Sequence, residues 1–373
     1  MVATVATQSA IVVLAPLVVE IGRSFDASVS AVGLARSVLA GVAVAVSLAI
    51  GPLIDRSGVR PVLLWGAVLA MAGAALTAAA PTLALFYAAH AVSGAGVACL
   101  LSAGFAGVAA YFRSEDAAWA MGYVVGAQSI AWIAGNPVVG LLAEAGSWRL
   151  AYLVPGTIAA LALVAGLAAP ARAAPASLGG GFADVFRDRS ARRWTIAELV
   201  AYSAWTAELT YAGVFYIESY DVGESTVGIL LAVGSVVFLA ASLNTERLTT
   251  RFPRRRLIAL AAVGMGLLLV PLLTLTPAVA FTLGLFCITA LLASIRSTGS
   301  SALGLAQLPD RPGAMMGART AGAQLGYMIG AASGGIVLAL ADFSALGVVL
   351  CAGMAFSALL VLRVSDPGEV SPW

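Results

Sequence analysis

An all-α membrane protein of twelve transmembrane helices, arranged as two pseudo-symmetric six-helix halves, is what this sequence predicts. Three observations carry that prediction. Hydrophobic residues fill 61% of the 373 positions and charged residues only 10%, whereas an ordinary soluble domain is about one quarter charged. The apolar runs are about twenty residues long, rich in Ala and Leu, and lack the polar/apolar alternation of barrel strands. Their backbone groups must therefore be satisfied inside helices. The third observation is an internal repeat: Met121-Gly122, Gly135 and Gly140 return 195 residues later as Met316-Gly317, Gly330 and Gly335. Two repeated halves follow.

Taken in order, the spans are expected near 2–21, 29–50, 61–80, 83–110, 117–143, 149–169, 194–217, 223–245, 256–275, 278–305, 313–340 and 344–363. They divide the chain into an N-terminal half (1–169), a linker with a short surface helix (170–193), a C-terminal half (194–363) and a tail (364–373). In the linker, Phe182, Val185 and Phe186 fall at helical spacing among Asp184, Arg187 and Asp188, the pattern of a helix lying on a bilayer surface. Loops after even-numbered spans, with the C-terminus, hold fifteen arginines, against two in the opposite loops, Arg23 and Arg149. By the positive-inside rule both termini are cytoplasmic, in the inner or plasma membrane. The first span has no charged leader and no small-residue cleavage site, so it is expected to be retained.

The same counts exclude several classes. The net charge of +2 follows from topology, and nothing suggests nucleic acid as a partner. All twenty basic residues are arginine, so neither a phosphate-binding loop with its lysine nor a lysine Schiff base is available. Cys99, Cys287 and Cys351 lie inside spans without paired spacing and read as packing residues. There is no two-histidine metal motif, no Gly-x-Ser-x-Gly elbow and no soluble domain. A sensor or membrane enzyme thus lacks a supporting constellation. No cofactor and no metal are expected, and the chain is read as a monomer.

Between the second and third spans the chain reads Gly51-Pro-Leu-Ile-Asp55-Arg56-Ser-Gly58-Val-Arg60, with a degenerate echo in Arg251-Phe-Pro-Arg-Arg-Arg256 after the eighth. Twelve spans in two halves, with this loop in this position, resemble the major facilitator superfamily over essentially the whole chain. The resemblance implies that the loop is a cytoplasmic gate latch, in which Asp55 engages the N-terminus of the eleventh helix. A carboxylate at a helix N-terminus is electrostatically favourable, which agrees.

The fifth span adds Gly126-x8-Gly135-Asn136-Pro137-x2-Gly140, which resembles the family's drug:proton antiporter motif. It departs from that motif at Asn136 and Leu141. Physically, its glycines let helices approach closely and Pro137 removes one backbone hydrogen bond, giving a bend. Gly322, Gly326, Gly330 and Gly334 form a similar stripe in the eleventh span. His90 in the fourth span falls where proton-coupled members resemble this sequence but carry an arginine. An imidazole changes charge near neutral pH, so coupling or substrate contact is one reading and a hydrogen-bonded packing residue the other.

Charges inside spans are costly and mark function by default. Glu20 and Arg36 are equally distant from the middle of the first hairpin and are expected to sit level and pair. Glu208 lies fourteen residues into the seventh span, roughly 21 Å deep at 1.5 Å per residue. Glu198, Tyr202, Trp205 and Glu208 follow at steps of four, three and three, along one side of the helix. Arg296 and Arg319 are candidate counter-charges. The resemblance makes the seventh and tenth helices line the substrate path, so Glu208 and Arg296 are expected to face each other.

The leading expectation is a secondary transporter working by alternating access, exporting a small apolar or amphipathic compound in exchange for protons. Glu208 would carry the proton, with Arg296 and His90 biasing its charge. Tyr202, Trp205, Tyr216, Gln324 and Tyr327 would contact substrate. The alternative is uptake of a small anion or metabolite, with Arg296, Arg319 and His90 as counter-charges.

Overall fold

The computed structural model describes residues 1–14, 17–113, 115–144, 147–171, 183–222, 224–249 and 251–366. Among them are sixteen helices and no strand: α1 (Val2–Val12), α2 (Val18–Phe25), α3 (Val29–Ser57), α4 (Val59–Ala79), α5 (Leu83–Tyr111), α6 (Ala117–Glu144), α7 (Trp148–Ala151), α8 (Leu153–Ala168), α9 (Ala183–Arg187), α10 (Arg189–Tyr220), α11 (Glu224–Asn244), α12 (Glu246–Thr249), α13 (Arg254–Thr274), α14 (Val279–Gln307), α15 (Pro312–Leu340) and α16 (Phe343–Leu362). The all-helical fold read from composition is the fold observed. Ten of the segments, α3 to α6, the α7–α8 stretch, α11 and α13 to α16, are long and apolar enough to cross a membrane.

The two remaining expected spans show why hydropathy alone does not find them. The first, 2–21, is two helices rather than one. An 11-residue α1 is only about 16 Å long, and Pro16, in the sequence between α1 and α2, lacks the N–H that a continuous helix needs. The seventh span is α10, 32 residues carrying Arg189, Arg192, Arg193, Glu198, Glu208 and Glu218. Its charges dilute the apolar signal. Of the expected surface helix, α9 is described, with Val185 buried and Phe186 exposed. Phe182, the Gly179–Gly181 run and tail residues 367–373 lie outside the described residues.

Helix ends follow local chemistry. Ser28 accepts from Ala31 N–H, Asp188 from Ala191 N–H and Asp342 from Ala345 N–H, each supplying an acceptor to an otherwise unpaired donor. Gly58, between α3 and α4, has φ of 84°, a conformation that a side chain disfavours. The outward faces are apolar, with Trp65 68% and Leu340 83% exposed, which suits lipid rather than water as solvent.

The chain forms two compact units. One comprises 1–112, 127–182 and 310–321; the other comprises 113–126, 183–309 and 322–373. Within each, small residues let helices close up. In the first unit a Cβ on Gly94 of α5 would collide with the Leu39 carbonyl of α3. In the second, a Cβ on Gly330 of α15 would collide with the Ser203 carbonyl of α10. Without a hydrophobic force between helices in lipid, such backbone approach supplies the packing energy.

Candidate functional site

The second unit holds a polar stripe along α10. Trp194 Nε1 donates to the carbonyl and the hydroxyl of Ser300 on α14, each at 3.0 Å. One turn on, Glu198 Oε1 accepts from Arg296 Nη1 at 2.5 Å, and these side chains are only 1% and 3% exposed. The Arg296 guanidinium also lies 5.5 Å from the ring centre of Tyr202, a cation–π distance. The Tyr202 hydroxyl stands 3.5 Å from Ser297 Oγ. Trp205 stacks on Phe286 with ring centres 6.4 Å apart and packs against an apolar cluster that includes Phe215, Leu269 and Met354.

Glu208 comes next, and its surroundings differ from those of Glu198. It is 1% exposed, nineteen residues from the start of α10 and twelve from its end, and neither carboxyl oxygen has a hydrogen-bond partner among the described residues. The expected meeting of Glu208 with Arg296 does not occur. Arg296 is bound to Glu198, ten residues earlier on the same helix, or about 15 Å along the axis. That separation is beyond the reach of one guanidinium holding a direct contact with Glu198.

Of the other expected substrate contacts in this unit, Tyr216 and Gln324 are each 1% exposed. The Tyr216 hydroxyl and Gln324 Oε1 have no hydrogen-bond partner among the described residues. Tyr327 is half-buried on α15. Gly126 of α6 abuts α11, since a Cβ there would collide with Ser242 Oγ.

In the first unit Asp55, near the end of α3, is buried against the N-terminus of α15. Its Oδ1 accepts from Gly313 N–H at 2.7 Å and its Oδ2 from Ala314 N–H at 2.9 Å. A Cβ on Gly51 would stand 2.8 Å from the Gly313 carbonyl, so the glycine is what lets the two helices meet. Arg60 caps α8 by donating to the carbonyls of Gly166 and Leu167, while Arg56 is exposed. Arg319 is 1% exposed, its guanidinium 3.9 Å from the ring centre of Phe105. Beside it Ser102 donates to Thr320.

His90 lies in an aromatic cluster with Phe86, Trp148 and Tyr152. Its Nδ1 stands 2.9 Å from the Phe86 carbonyl, which makes that nitrogen the donor and leaves Nε2 as an acceptor. With Ser93, Tyr152 and four alanines it borders a cavity offering about 10 Å³ to the centre of a water. His90 thus belongs to the first unit, and Glu208 and Arg296 to the second. Gly135, Pro137 and Gly140 all fall within α6, and a Cβ on Gly135 would have ordinary contact distance to Val12. The level pair expected of Glu20 and Arg36 has other bonds: Glu20 accepts from Trp148 N–H, and Arg36 donates to the Ile11 carbonyl.

One polar set escaped the sequence reading. Gln8 of α1 accepts from Trp132 Nε1 and donates to Gln128, both on α6. Neutral amides carry no charge signal, and the partners are 120 and 124 residues away. The one hint was the consecutive polar run Thr7, Gln8 and Ser9 in a largely apolar helix.

Among the described residues no cluster of His, Cys, Asp and Glu fits a metal ion. The sequence profile of the Major Facilitator Superfamily matches residues 1–307 and 195–372. No curated protein matches the chain in sequence. The fold is similar to that of the E. coli fucose:proton symporter FucP, at 16% identity over 98% of this chain and 96% of that one, with a TM-score of 0.79. It is likewise similar to the human organic anion transporter MFSD10 (16% identity, 96% and 97% covered, TM-score 0.81) and to the proton:xylose symporter XylE (14% identity, 97% and 94% covered, TM-score 0.80). The chain is an integral membrane transporter and belongs to the Major Facilitator Superfamily.

Proposed function

We propose that the protein is a proton-coupled secondary transporter in which Glu208 carries the proton, moving a small neutral or amphipathic compound outward by alternating access. The observation that carries this reading is the isolation of Glu208. A buried carboxylate without a partner costs several kcal/mol, whereas an unpaired neutral polar group costs about 1–3 kcal/mol. In the arrangement observed, the protonated acid is therefore the cheaper form. Ionisation becomes favourable when a movement of the helices, a substrate or water supplies polar partners, and that coupling is what a transport cycle requires.

The capture of Arg296 by Glu198 supports a neutral substrate over an anion, since this cation is already neutralised. The proton coupling named for FucP and XylE accords with a proton carrier. Export rather than uptake rests on the Gly126 to Gly140 motif of α6. Asp55 on the N-terminus of α15 serves as the cytoplasmic latch, with both chain termini on that side. Uptake of an organic anion is the second reading; the fully buried Arg319 and the likeness to MFSD10 favour it.

A flux assay separates these. Proteoliposomes loaded with labelled amphiphiles, neutral and cationic, are given an imposed pH gradient. The wild type is expected to accumulate at least one of them against its gradient, and Glu208→Gln only to equilibrate it. Transport indifferent to the imposed gradient contradicts proton coupling, and competition by organic anions favours the second reading.

A further inference from the structure

We infer that Tyr216 and Tyr220 form a proton path between Glu208 and the Asp221 end of α10. This rests on the reading of Glu208 as the proton carrier. Three observations point to it. The Tyr216 hydroxyl is buried with no hydrogen-bond partner among the described residues, although the residue belongs to an apolar cluster with Val227 and Leu230 of α11, against which Val279 and Leu283 of α14 pack. Buried hydroxyls are normally satisfied, by protein or by water, so an orphan one calls for an explanation. Leucine or phenylalanine would fill the same apolar niche without that cost.

The second observation is alignment. Tyr216 follows Glu208 by eight residues on α10, about 12 Å along the axis. A tyrosine side chain on a helix leans back over the turn before its own Cα, so the hydroxyl is carried toward Glu208, and the path requires water between the two. Titratable groups near that hydroxyl include Glu208 and Tyr220 on α10 and Cys287 on α14.

The third is continuation in the other direction. The Tyr216 and Tyr220 rings stand 6.2 Å apart, and the Tyr220 hydroxyl is hydrogen-bonded to Thr282 Oγ1 of α14. Tyr220 is half-buried and the next residue, Asp221, is exposed, so the line runs from the helix middle to water. Arginine counting puts that end outside the cell. A phenol suits the task because it accepts on one lone pair while donating its proton. A proton from the outer water binds the Tyr216 oxygen as its existing O–H proton passes inward through water to Glu208. At each relaying oxygen one O–H bond forms and one breaks, the outer water gives up the proton that the Glu208 carboxylate gains, and nothing is oxidised or reduced.

The test needs no known substrate. Purified protein in a hydrated lipid film is switched from H2O to D2O while the carbonyl stretch of protonated carboxyls is followed by infrared spectroscopy; Glu208→Gln identifies the band. Deuterium should reach Glu208 more slowly in Tyr216→Phe, by about tenfold or more, with Tyr220→Phe also slowed. Phenylalanine keeps the ring and removes an orphan hydroxyl, so the fold is retained. Tyr211→Phe is the control, because its hydroxyl is engaged with the Ala331 carbonyl and lies off the path. Wild-type exchange in Tyr216→Phe overturns the path, as does equal slowing in Tyr211→Phe. Absence of any Glu208 band overturns the proton-carrier reading itself.

Discussion

Glu198 and Glu208 stand on the same helix, ten residues apart, and each is 1% exposed. One is held by Arg296 at 2.5 Å under the ring of Tyr202; the other has no bond to either oxygen among the described residues. Residue type, burial and secondary structure are equal, so the difference lies in the partner. A carboxylate with a fixed counter-charge ties α10 to α14. An isolated carboxyl has two accessible forms whose balance depends on what approaches it. Depth in a membrane marks a residue as costly, and only the partner says whether the cost buys structure or exchange.

The largest effect that would break this comparison is expected at the paired site. Glu198→Gln leaves Arg296 buried without its counter-charge and should destabilise the protein by about 3–5 kcal/mol, read as a large fall in thermal midpoint in detergent. A fall smaller than that of an ordinary surface change would mean that Arg296 finds another anion, and Glu208 would then be its natural candidate. At Asp55, a third buried acid is held by two backbone donors. Asp55→Ala should cost about 2 kcal/mol, measured the same way, and an unchanged midpoint would show the contact to be dispensable. The smallest effect is expected at Glu208. Methionine matches its length and needs no partner, so Glu208→Met should be neutral or up to about 1 kcal/mol more stable. A marked loss would show that the carboxyl makes a stabilising bond.

The contrast also shows what the sequence makes legible. Helix positions were readable because lipid demands long apolar runs; the seventh span was placed inside α10 despite its charges, and only the first, expected as one helix, is two. The Asp55 contact was readable because the glycines, the acid and the helix start sit in a short, recognisable order. The place of Glu208 well inside a long helix was readable by counting residues. The partner of Arg296 was not, because Glu198 and Glu208 are both acidic and both on the same side of α10. Choosing between them needs the axial offset of α14 against α10, which side-chain packing sets and spacing does not encode. The bond of Gln8 to Gln128 and Trp132 was hidden for a related reason, since neutral polar pairs far apart in sequence leave no mark in charge or periodicity.

The most direct test of the proton-carrier claim is an infrared difference spectrum in the region of protonated carboxyl groups, recorded in lipid at neutral pH for the wild type, Glu208→Gln and Glu198→Gln. The account predicts a carbonyl band that Glu208→Gln removes and Glu198→Gln leaves in place. Identical wild-type and Glu208→Gln spectra in that region would contradict it.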